Sequence, residues 1–473
     1  MTEDAADLSL VEILDRLADR KLSARELVAD CLRRIEQSEA TIRAFVTQTP
    51  HLALAAARRA DEARARRIPV GPLAGVPVAV KDLFLTRGVL TTAGSRVLAS
   101  YVPNEDAALW QRLAAAGAGL LGKTTTHEFA YGTASLPTKN PWDIRRTPGG
   151  SSGGSAAALA MRMAPLAIGT DTGGSLRIPA AACGVSTLRS GIGRLSRYGV
   201  IPLSRSFDVT GPMARRMLDV SLLMRVLAGH DTRDPASHDS AIPAYPCAPP
   251  SDLTGVRIGL PIEMSWKEVD ARFAEVCREA LDELVARGAE LVEISTPSSA
   301  EQVLRESVGV FDTITHVEAL EIHDALLAHS HLYTPQVRYR VQLGETISPE
   351  SYEEALLLRD RWESKWRQIM SDHRLDAIAH PTIDGPPPLI NAAGEPDGPH
   401  IRLSVPWSVA GFAALSVPAG LDDRGLPVGL SLATVPEREA DLLGLGIAID
   451  EELQSWRKQP PWSPGAGWRD SGD

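Results

Sequence analysis

Hydrophobic residues recur along the chain with two different spacings, and these predict an alternation of helices and strands. Close to the N-terminus the apolar residues follow each other at helical spacing, from Leu10 to Leu17 and from Leu27 to Ile35. Each of these two segments starts with an S-x-x-E capping pattern, in which a serine and a glutamate satisfy the free amides of a helix start. We therefore predict two N-terminal packing helices, which begin after Ser9 and Ser23.

Between residues 70 and 220, short apolar runs predict buried strands instead of amphipathic helices. The runs are VPVAV before Lys81, LLGKTTT (120–126) and PLAIGTD (165–171), and they are separated by the helical segments AALWQRLAAAG (107–117) and SAAALAMRM (155–163). This alternation indicates an α/β sheet with a substantial parallel component. Later runs of the same kind predict further strands at 256–261, 289–294, 376–382, 415–420 and 428–434.

The distribution of proline, glycine and charge predicts one long domain. Residues 229–254 are rich in Pro, Asp and Ser and are expected to form a surface connection. We predict a single domain over residues 1–455, with a catalytic core at about 70–220 and a more variable helical region at about 300–372. The remaining residues, 456–473, are expected to be a frayed tail.

Composition limits the possible partners. A formal charge of −11 and a pI near 5.6 argue against direct contact with nucleic acid or an anionic membrane. The acidic, polar start MTEDAADLSL does not resemble a signal peptide, and the four cysteines contain no C-x-x-C pair. The sequence therefore predicts a cytoplasmic enzyme without disulfides, zinc or a membrane span.

The first candidate for chemistry is Lys81, at the end of an apolar strand. A lysine there either extends its amine to water or is desolvated. Burial can lower a lysine pKa by up to ~3–5 units, so that the neutral amine becomes a base close to pH 7. The residue and its position leave both interpretations open.

The second candidate is the glycine–serine cluster TPGGSSGGSAAAL (147–159). Around Ser151 it spells G-x-S-x-G, the pattern of a nucleophile elbow. An elbow follows a buried strand, whereas the preceding KNPWDIRRTP is polar and interrupted by proline. A phosphate loop would need Gly-Lys-Ser/Thr, and Gly154 is followed by Ser155 and Ala156. A flexible linker is disfavoured by the helical segment that follows at once.

The third candidate is GTDTGGSLRIPAAACG (169–184), where a strand ends in a glycine turn and Ser175 stands at a possible helix start. Two consecutive glycines allow backbone N–H groups to converge on one point, as an oxyanion hole requires. The same pattern also suits a tight strand-to-helix turn with an N-cap serine.

Taken together, the three segments resemble the amidase signature family in order and spacing. The resemblance covers roughly residues 10–455, and it extends from GVPVAVKD (75–82) through GRLSRYGVIPLSRSFDVTGPMAR (193–215) to GLPVGLSLAT (425–434). It implies an α/β fold with a large mixed, mostly parallel, twisted sheet that has helices on both sides. It implies no cofactor and no metal.

The resemblance also implies a role for each site residue. Ser175 would be the nucleophile, Lys81 the base, and Ser151, which follows a cis peptide bond in the family, the bridge between them. The backbone amides of four consecutive residues would form the oxyanion hole: Thr172, Gly173, Gly174 and Ser175. Asp171 and Arg177 flank the nucleophile turn and are expected to brace it by hydrogen bonding. Ser152 and Ser155 are expected either to support the relay or to cap the following helix. Substrate specificity is expected to come from loops around 125–140, the helical region 300–345 and residues 380–412. The candidate pocket walls from these regions are Thr125, His127, Phe129, Tyr131, His380 and Trp407.

The leading functional hypothesis is a stand-alone amidase that cleaves a small aryl or acyl amide, with carbamate and ester bonds as further substrates. Its expected partner is the small-molecule amide or carbamate alone, with no nucleic acid and no membrane, in a monomer or homodimer. The second hypothesis is the glutaminase subunit of a tRNA-dependent amidotransferase, which passes ammonia to a partner. It is disfavoured because LRSGIGR (188–194) departs from the commonest family pattern and residues 300–345 diverge. A third, an allophanate-hydrolase type, normally carries an extra C-terminal domain.

Overall fold

A large β-sheet forms the centre of the molecule. The computed structural model describes residues 4–295, 304–391, 401–463 and 467–468. The sheet contains 11 strands. In chain order these are β1 (Phe45–Gln48), β2 (Pro77–Lys81), β3 (Gly119–Thr124), β4 (Leu166–Asp171), β5 (Ser186–Arg189), β6 (Val209–Ala214), β7 (Arg257–Pro261), β8 (Glu290–Ile294), β9 (Ala377–Pro381), β10 (Ala413–Leu421) and β11 (Pro427–Thr434).

The strand order is β1-β3-β2-β4-β6-β5-β10-β11-β9-β7-β8. Strand β2 pairs in parallel with β3 and β4, and β7 pairs in parallel with β8 and β9. The central strands β4-β6-β5-β10-β11-β9 pair antiparallel, as does β1 with β3. The predicted mixed α/β sheet is confirmed. Its parallel pairs form two separate blocks, because the strands between them, from β4 to β9 in the sheet order, pair antiparallel.

Helices pack against this sheet. The α-helices are α1 (Leu10–Ala18), α2 (Ala24–Ile42), α3 (Pro50–Ala65), α4 (Ala108–Ala115), α5 (Gly153–Ala160), α6 (Arg177–Cys183), α7 (Met217–Leu227), α8 (Ile262–Ser265), α9 (Ala271–Ala286), α10 (Gly309–His323), α11 (Pro335–Leu343), α12 (Pro349–Asp372), α13 (Val405–Val409) and α14 (Glu439–Leu453). Short 3₁₀ segments lie at Ala5–Asp7, Arg96–Leu98, Glu128–Ala130, Asp324–Leu332, Gly344–Thr346, Pro436–Arg438 and Ser455–Arg457, and a π-helical turn at Leu304–Val308. Both predicted capping boxes are present, at Ser9 and Ser23.

Some elements were not apparent from the sequence. Strand β6 contains Gly211 and Pro212, which ordinarily weaken a strand, yet it pairs with β4 on one side and β5 on the other. Helix α3 is rich in alanine and shows only a weak apolar stripe. In β6 tertiary packing overrides a weak local preference. In α3 alanine favours the helix locally but leaves no clear apolar stripe that would predict it.

The core extends across both faces of the sheet. Every residue of β2, β3, β4, β6 and β9 is buried, as expected for strands that are covered on both sides. A second apolar cluster lies beneath α12, where Trp362 and Trp366 pack beside Trp407. In the described ranges, no helix has the length and apolar character needed to cross a membrane.

The C-terminal residues are partly described. Trp462–Ser463 pairs antiparallel with Gly467–Trp468, so part of the segment expected to be frayed is a short two-stranded sheet. Residues 464–466 and 469–473 lie outside the described residues.

Candidate active site

The three candidate segments meet at the carboxyl ends of two neighbouring strands. Strands β2 and β4 are parallel, with Val80 opposite Ile168, so both end at the same edge of the sheet. Lys81 is the last residue of β2, and the glycine turn before Ser175 follows β4. The carboxyl edge of parallel strands is the usual place for a site in open α/β sheets.

Lys81 is completely buried and surrounded by hydroxyl groups. Its Nζ lies 2.7 Å from Ser151 Oγ, 2.9 Å from Ser152 Oγ and 2.7 Å from Thr170 Oγ1. Burial lowers the pKa of Lys81 to about 7, although the more distant charges of Asp171 and Asp208 oppose the shift. The amine is therefore poised between its charged and neutral forms near neutral pH.

The hydrogen bonds around Lys81 show how its neutral form is oriented. The Ser152 hydroxyl donates to the Thr170 carbonyl at 3.1 Å, so it can only accept from Lys81. A neutral amine has two N–H donors and one lone pair. One donor is directed to Ser152, and the second donor and the lone pair are left for Thr170 Oγ1 and Ser151 Oγ. Ser151 Oγ has no other hydrogen-bond partner in the described residues. The geometry thus allows Lys81 to accept the Ser151 proton.

Ser151 is positioned through its main chain. The Gly150–Ser151 peptide bond is cis, as the resemblance implies. The Ser151 carbonyl accepts from Ser135 Oγ at 2.8 Å, and the Ser152 amide donates to the Ser175 carbonyl at 3.1 Å. Ser175 is 7% exposed and therefore reachable from outside. Among the described residues its hydroxyl forms no hydrogen bond with Ser151.

An ion-pair network braces the turn that carries Ser175. Asp171 forms two hydrogen bonds with Arg177, both 3.0 Å, and one with Arg189, also 3.0 Å. Its carboxylate also accepts from the amides of Gly174 at 2.8 Å and Leu176 at 3.2 Å. Burial alone would raise the pKa of Asp171, but the two arginines hold it well below its usual range. Asp171 is therefore a fixed anion around which the turn folds.

The four predicted oxyanion donors differ in availability. Because the Gly174 amide is bonded to Asp171, it does not point to a common anion site. In the described chain the amides of Gly173 and Ser175 have no hydrogen-bond partner. Gly174 has φ +137°, a conformation that glycine tolerates best, and a Cβ there would lie 2.2 Å from Ser404 Oγ. The Thr172 amide likewise has no partner among the described residues, so the candidate oxyanion donors are the amides of Thr172, Gly173 and Ser175.

Ser404, in the loop before α13, holds this turn from the opposite side. Its hydroxyl donates to the Gly173 carbonyl at 2.6 Å. Arg177 grips the same segment, donating to the Ser404 carbonyl at 2.9 Å and to Ser408 Oγ at 2.8 Å. The orientation of the turn therefore depends on residues more than 200 positions away.

Thr172 faces a cavity. Its hydroxyl donates to Asp208 at 2.6 Å, and the second Asp208 oxygen accepts from the amides of Leu203 and Ser204. A cavity of about 220 Å³ is lined by Thr170, Thr172 and Asp208 together with Leu203 and other residues of 197–210. This cavity adjoins the hydroxyl that contacts Lys81 and has room for a small polar molecule.

The remaining predicted residues fall into two groups. Ser155 contacts Thr124 Oγ1 at 2.7 Å and Thr125 donates to the Arg43 carbonyl at 3.1 Å, so both tie helix and strand together. The structure places Phe129, His380 and Trp407 in fully buried aromatic packing, with His380 stacked on Trp407 at 5.4 Å. His127 and Tyr131 lie nearer the site, since the His127 amide lies 3.4 Å from the Ser151 carbonyl.

Three contributors had not been singled out from the sequence. Thr170 adjoins Asp171 at the end of β4, and its position one residue before the turn was a usable signal. Arg189 lies in the LRSGIGR stretch, where it was interpreted only as a family departure. Ser404 has no local signal, because only the fold brings it to Gly173.

Known proteins with similar sequences cover almost the entire chain. The Amidase family model matches residues 26–443. The glutamyl-tRNA(Gln) amidotransferase A subunit of Chloroflexus aggregans is 39% identical over 94% of this chain and 96% of its own length. The corresponding A subunit of Moorella thermoacetica is 35% identical over 96% of this chain and 98% of its own length.

Solved structures agree with this pattern. A chain from a vestigial protein complex, described as revealing the evolutionary origins of an s-triazine catabolic enzyme, is 32% identical with a TM-score of 0.85, over 94% of this chain and 98% of its own. The glutamyl-tRNA(Gln) amidotransferase A subunit of Thermotoga maritima is 27% identical with a TM-score of 0.78, over 99% and 98%. The predicted amidase-type enzyme, acting on amide C–N bonds, is confirmed.

Two predictions are corrected by these comparisons. The stand-alone amidase is wrong as the leading hypothesis, and so is a partner set of small molecules with no nucleic acid, because the matching relatives are subunits of a tRNA amidotransferase. The departure in LRSGIGR does not disfavour such a subunit, because Arg189 within it braces Asp171 and touches no pocket. The net charge bears only on direct contact with phosphates, and a subunit can belong to a tRNA-dependent complex without such contact.

We predict that Arg177→Met destabilises the protein by about 3–5 kcal/mol at neutral pH, because it leaves the buried Asp171 carboxylate short of a partner. The depressed pKa of Asp171 contributes stability that is present above its unfolded pKa of about 3.9 and is lost as the pH falls. The difference between wild type and variant, measured by urea unfolding, should therefore narrow below about pH 4. The exposed Arg205→Met, paired with Glu321, should change stability by less than about 1 kcal/mol. An equal loss of stability in Arg177→Met and Arg205→Met would contradict the bracing role of Arg177.

We predict that Ser404→Ala lowers kcat about tenfold and leaves KM nearly unchanged, because the Gly173 peptide loses the hydrogen bond that orients it. Steady-state kinetics of amide hydrolysis measure both constants. Ser416→Ala removes an equally buried serine hydroxyl that contacts Thr382 instead, and it should leave kcat within about twofold. A purely structural role for Ser404 would lower the unfolding midpoint without changing kcat.

Proposed function

This chain belongs to the amidase family, and we propose that it is the glutaminase subunit, of the A type, of a tRNA-dependent glutamyl amidotransferase. In this role it hydrolyses the side-chain amide of glutamine and passes the ammonia to a partner subunit. The observation that carries the proposal is the match with A-type subunits along nearly the full length of both chains. The described geometry supports the chemistry, since a buried lysine, two serines and three unpartnered amides lie at one edge of the sheet.

Acyl transfer in this site begins with a proton relay. Neutral Lys81 accepts the proton of Ser151, and Ser151 in turn accepts the proton of Ser175. The Oγ of Ser175 then attacks the amide carbon. Catalytic hydrogen bonds commonly tighten only in the substrate complex, so we expect the Ser151–Ser175 contact to close there. Cleavage returns the proton through Ser151 to the departing ammonia. A water molecule then attacks the acyl-enzyme on Ser175, and Ser151 and Lys81 accept its proton.

The developing negative charge is stabilised by the turn itself. We expect the unpartnered amides of Thr172, Gly173 and Ser175 to supply the donors for the oxyanion, while Asp171 holds the Gly174 amide and so fixes the turn. Removing one such donor typically costs about 10²–10³ in rate. Carbamate and ester bonds would break by the same acyl transfer, and a panel of such compounds beside glutamine measures the preference.

We propose that this chain supplies the amide hydrolysis of such a complex, in which partner subunits and a tRNA take part. The cytoplasmic location expected from the sequence stays a prediction.

We predict that kcat/KM for amide hydrolysis rises with pH through an inflection near 7, because only neutral Lys81 acts as a base. The negative charge of Asp208 raises the Lys81 pKa, so Asp208→Asn should move the inflection to lower pH. The highly exposed Asp423→Asn, 80% accessible, should leave it in place. A rate that falls as Lys81 deprotonates would exclude a lysine base.

We predict that the chain releases ammonia from glutamine and that it replaces the A subunit in a relative's amidotransferase, which then amidates glutamyl-tRNA(Gln). Lys81→Met and Ser175→Ala should abolish both activities, whereas Lys267→Met, on the surface, should retain them. A general base is worth about 10²–10⁴ in rate, and this sets the expected loss for Lys81→Met. Efficient hydrolysis of simple amides without any use of glutamine would overturn the proposal.

A further inference from the structure

A half-buried acidic side chain stands without a partner in α10. In the described part of the chain, Asp312 forms no hydrogen bond and no ion pair. Other acids near the site are fully engaged. Glu128 accepts from Ser95 at 2.6 Å and from the Thr334 amide at 2.9 Å, and Glu318 accepts from Ser206 at 2.6 Å. A structural role therefore accounts for those carboxylates and leaves Asp312 unexplained.

Helix α10 places Asp312 beside the nucleophile turn. The ring of the preceding Phe311 approaches that turn so closely that a Cβ on Gly173 would lie 2.7 Å from its Cζ. One helical turn further on, His316 Nδ1 is hydrogen-bonded to the Tyr131 hydroxyl. Since residues four apart share a helix face, Asp312 lies on the face that meets Tyr131.

Helix α11 places a positive charge next to Tyr131. Arg340 donates to the Tyr131 carbonyl at 2.6 Å, and its guanidinium lies 5.8 Å from the centre of the Tyr131 ring. It forms no ion pair with Asp312 within the described residues. Burial raises the pKa of Asp312 to about 6, against the influence of Arg340. Asp312 and Arg340 therefore both lie near Tyr131, but they do not form an ion pair in the described residues.

His127 connects the surroundings of Tyr131 with the serine–lysine site. The His127 amide lies 3.4 Å from the Ser151 carbonyl, and its ring packs against the main chain of Gly132, next to Tyr131. Burial lowers the pKa of His127 to about 4, and the charges of Arg340 and Lys81 add to the effect. His127 is thus close enough to both Lys81 and Arg340 for their charges to act on its ring.

Helix-end stabilisation does not explain Asp312. An acidic residue in a first turn ordinarily interacts with the free amides of a helix start. Here α10 continues directly from the π-helical turn at Leu304–Val308, so its first turn is not a free end.

We propose that Asp312 binds a cationic ammonium group of the substrate, carried a few bonds from the amide that Ser175 attacks. The inference rests on the proposed function in that the α-ammonium of glutamine is such a group. Asp312 is a specificity residue and takes no part in the proton relay. A carboxylate with an unused hydrogen-bonding capacity, next to the residue that packs on the nucleophile turn, favours a positively charged donor.

Protection of Ser175 from a fluorophosphonate label tests this binding without requiring turnover. We compare 4-aminobutyramide with butyramide, which has the same carbon chain and amide but no ammonium. For the wild type, 4-aminobutyramide should protect at about 10- to 100-fold lower concentration. In Asp312→Asn this preference should disappear, while the labelling rate without competitor stays unchanged and reports an intact site.

The matched control is Asp324→Asn, an exposed aspartate directly after the same helix, which should keep the wild-type preference. Equal protection by the two amides in the wild type would overturn the proposal even if Asp312→Asn did not fold. A preference that persists in a folded Asp312→Asn would overturn it as well. Ammonia release from glutamine is measured separately, so failure of the glutaminase function is distinguished from failure of the ammonium site.

Discussion

The chemistry of this site depends on the burial of one lysine without a carboxylate partner. Lys123 provides the internal comparison, since it is equally buried but lies 3.1 Å from Asp82 and so has a counter-ion within reach. Lys81 contacts only hydroxyl groups, with the nearest at 2.7 Å. Desolvation without compensation destabilises the ammonium form, which is why the neutral amine is available near pH 7. Burial lowers the pKa of both lysines, but only Lys123 has a carboxylate in contact that supports its charged form, so Lys81 is the better suited of the two to act as a base.

The rest of the site keeps Lys81 and Ser175 in a fixed relation. Asp171 gathers two arginines and two backbone amides, and Arg177 extends this network to the segment that begins at Ser404. Buried ion pairs of this kind contribute little net stability but fix geometry strongly, because an unpaired member is costly. The turn is thereby held while, among the described residues, the amides of Thr172, Gly173 and Ser175 remain without a hydrogen-bond partner. This constraint explains why Arg189, in a stretch that differs from the commonest family pattern, bears on the nucleophile turn and not on the substrate.

Substrate and partner depend on other parts of the molecule. Helices α10 and α11 carry Phe311, which packs on the nucleophile turn, the neighbouring Asp312, and Arg340, which contacts Tyr131. None of these three residues belongs to a recognisable motif. The acidic surface concerns only what the chain touches directly. Bond-breaking chemistry and assembly are therefore separate properties of this fold, and neither decides the other. That separation is the reason why the prediction of a stand-alone amidase was wrong while the prediction of amidase chemistry was confirmed.

The sequence alone determined the elements with strong local signals and the identity of the reacting groups. The capping boxes at Ser9 and Ser23, the apolar strands β2 and β4, and the turn before Ser175 each depend on residues within a few positions, so their patterns are readable. Tertiary structure alone decided which partners complete the site. The commitment of the Gly174 amide to Asp171 and the hold of Ser404 on Gly173 arise from contacts that no local pattern encodes. Likewise, the absence of an acid beside Lys81 and the open carboxylate of Asp312, both seen within the described residues, follow from how strands and helices pack, because desolvation is a property of the whole surrounding and not of a motif.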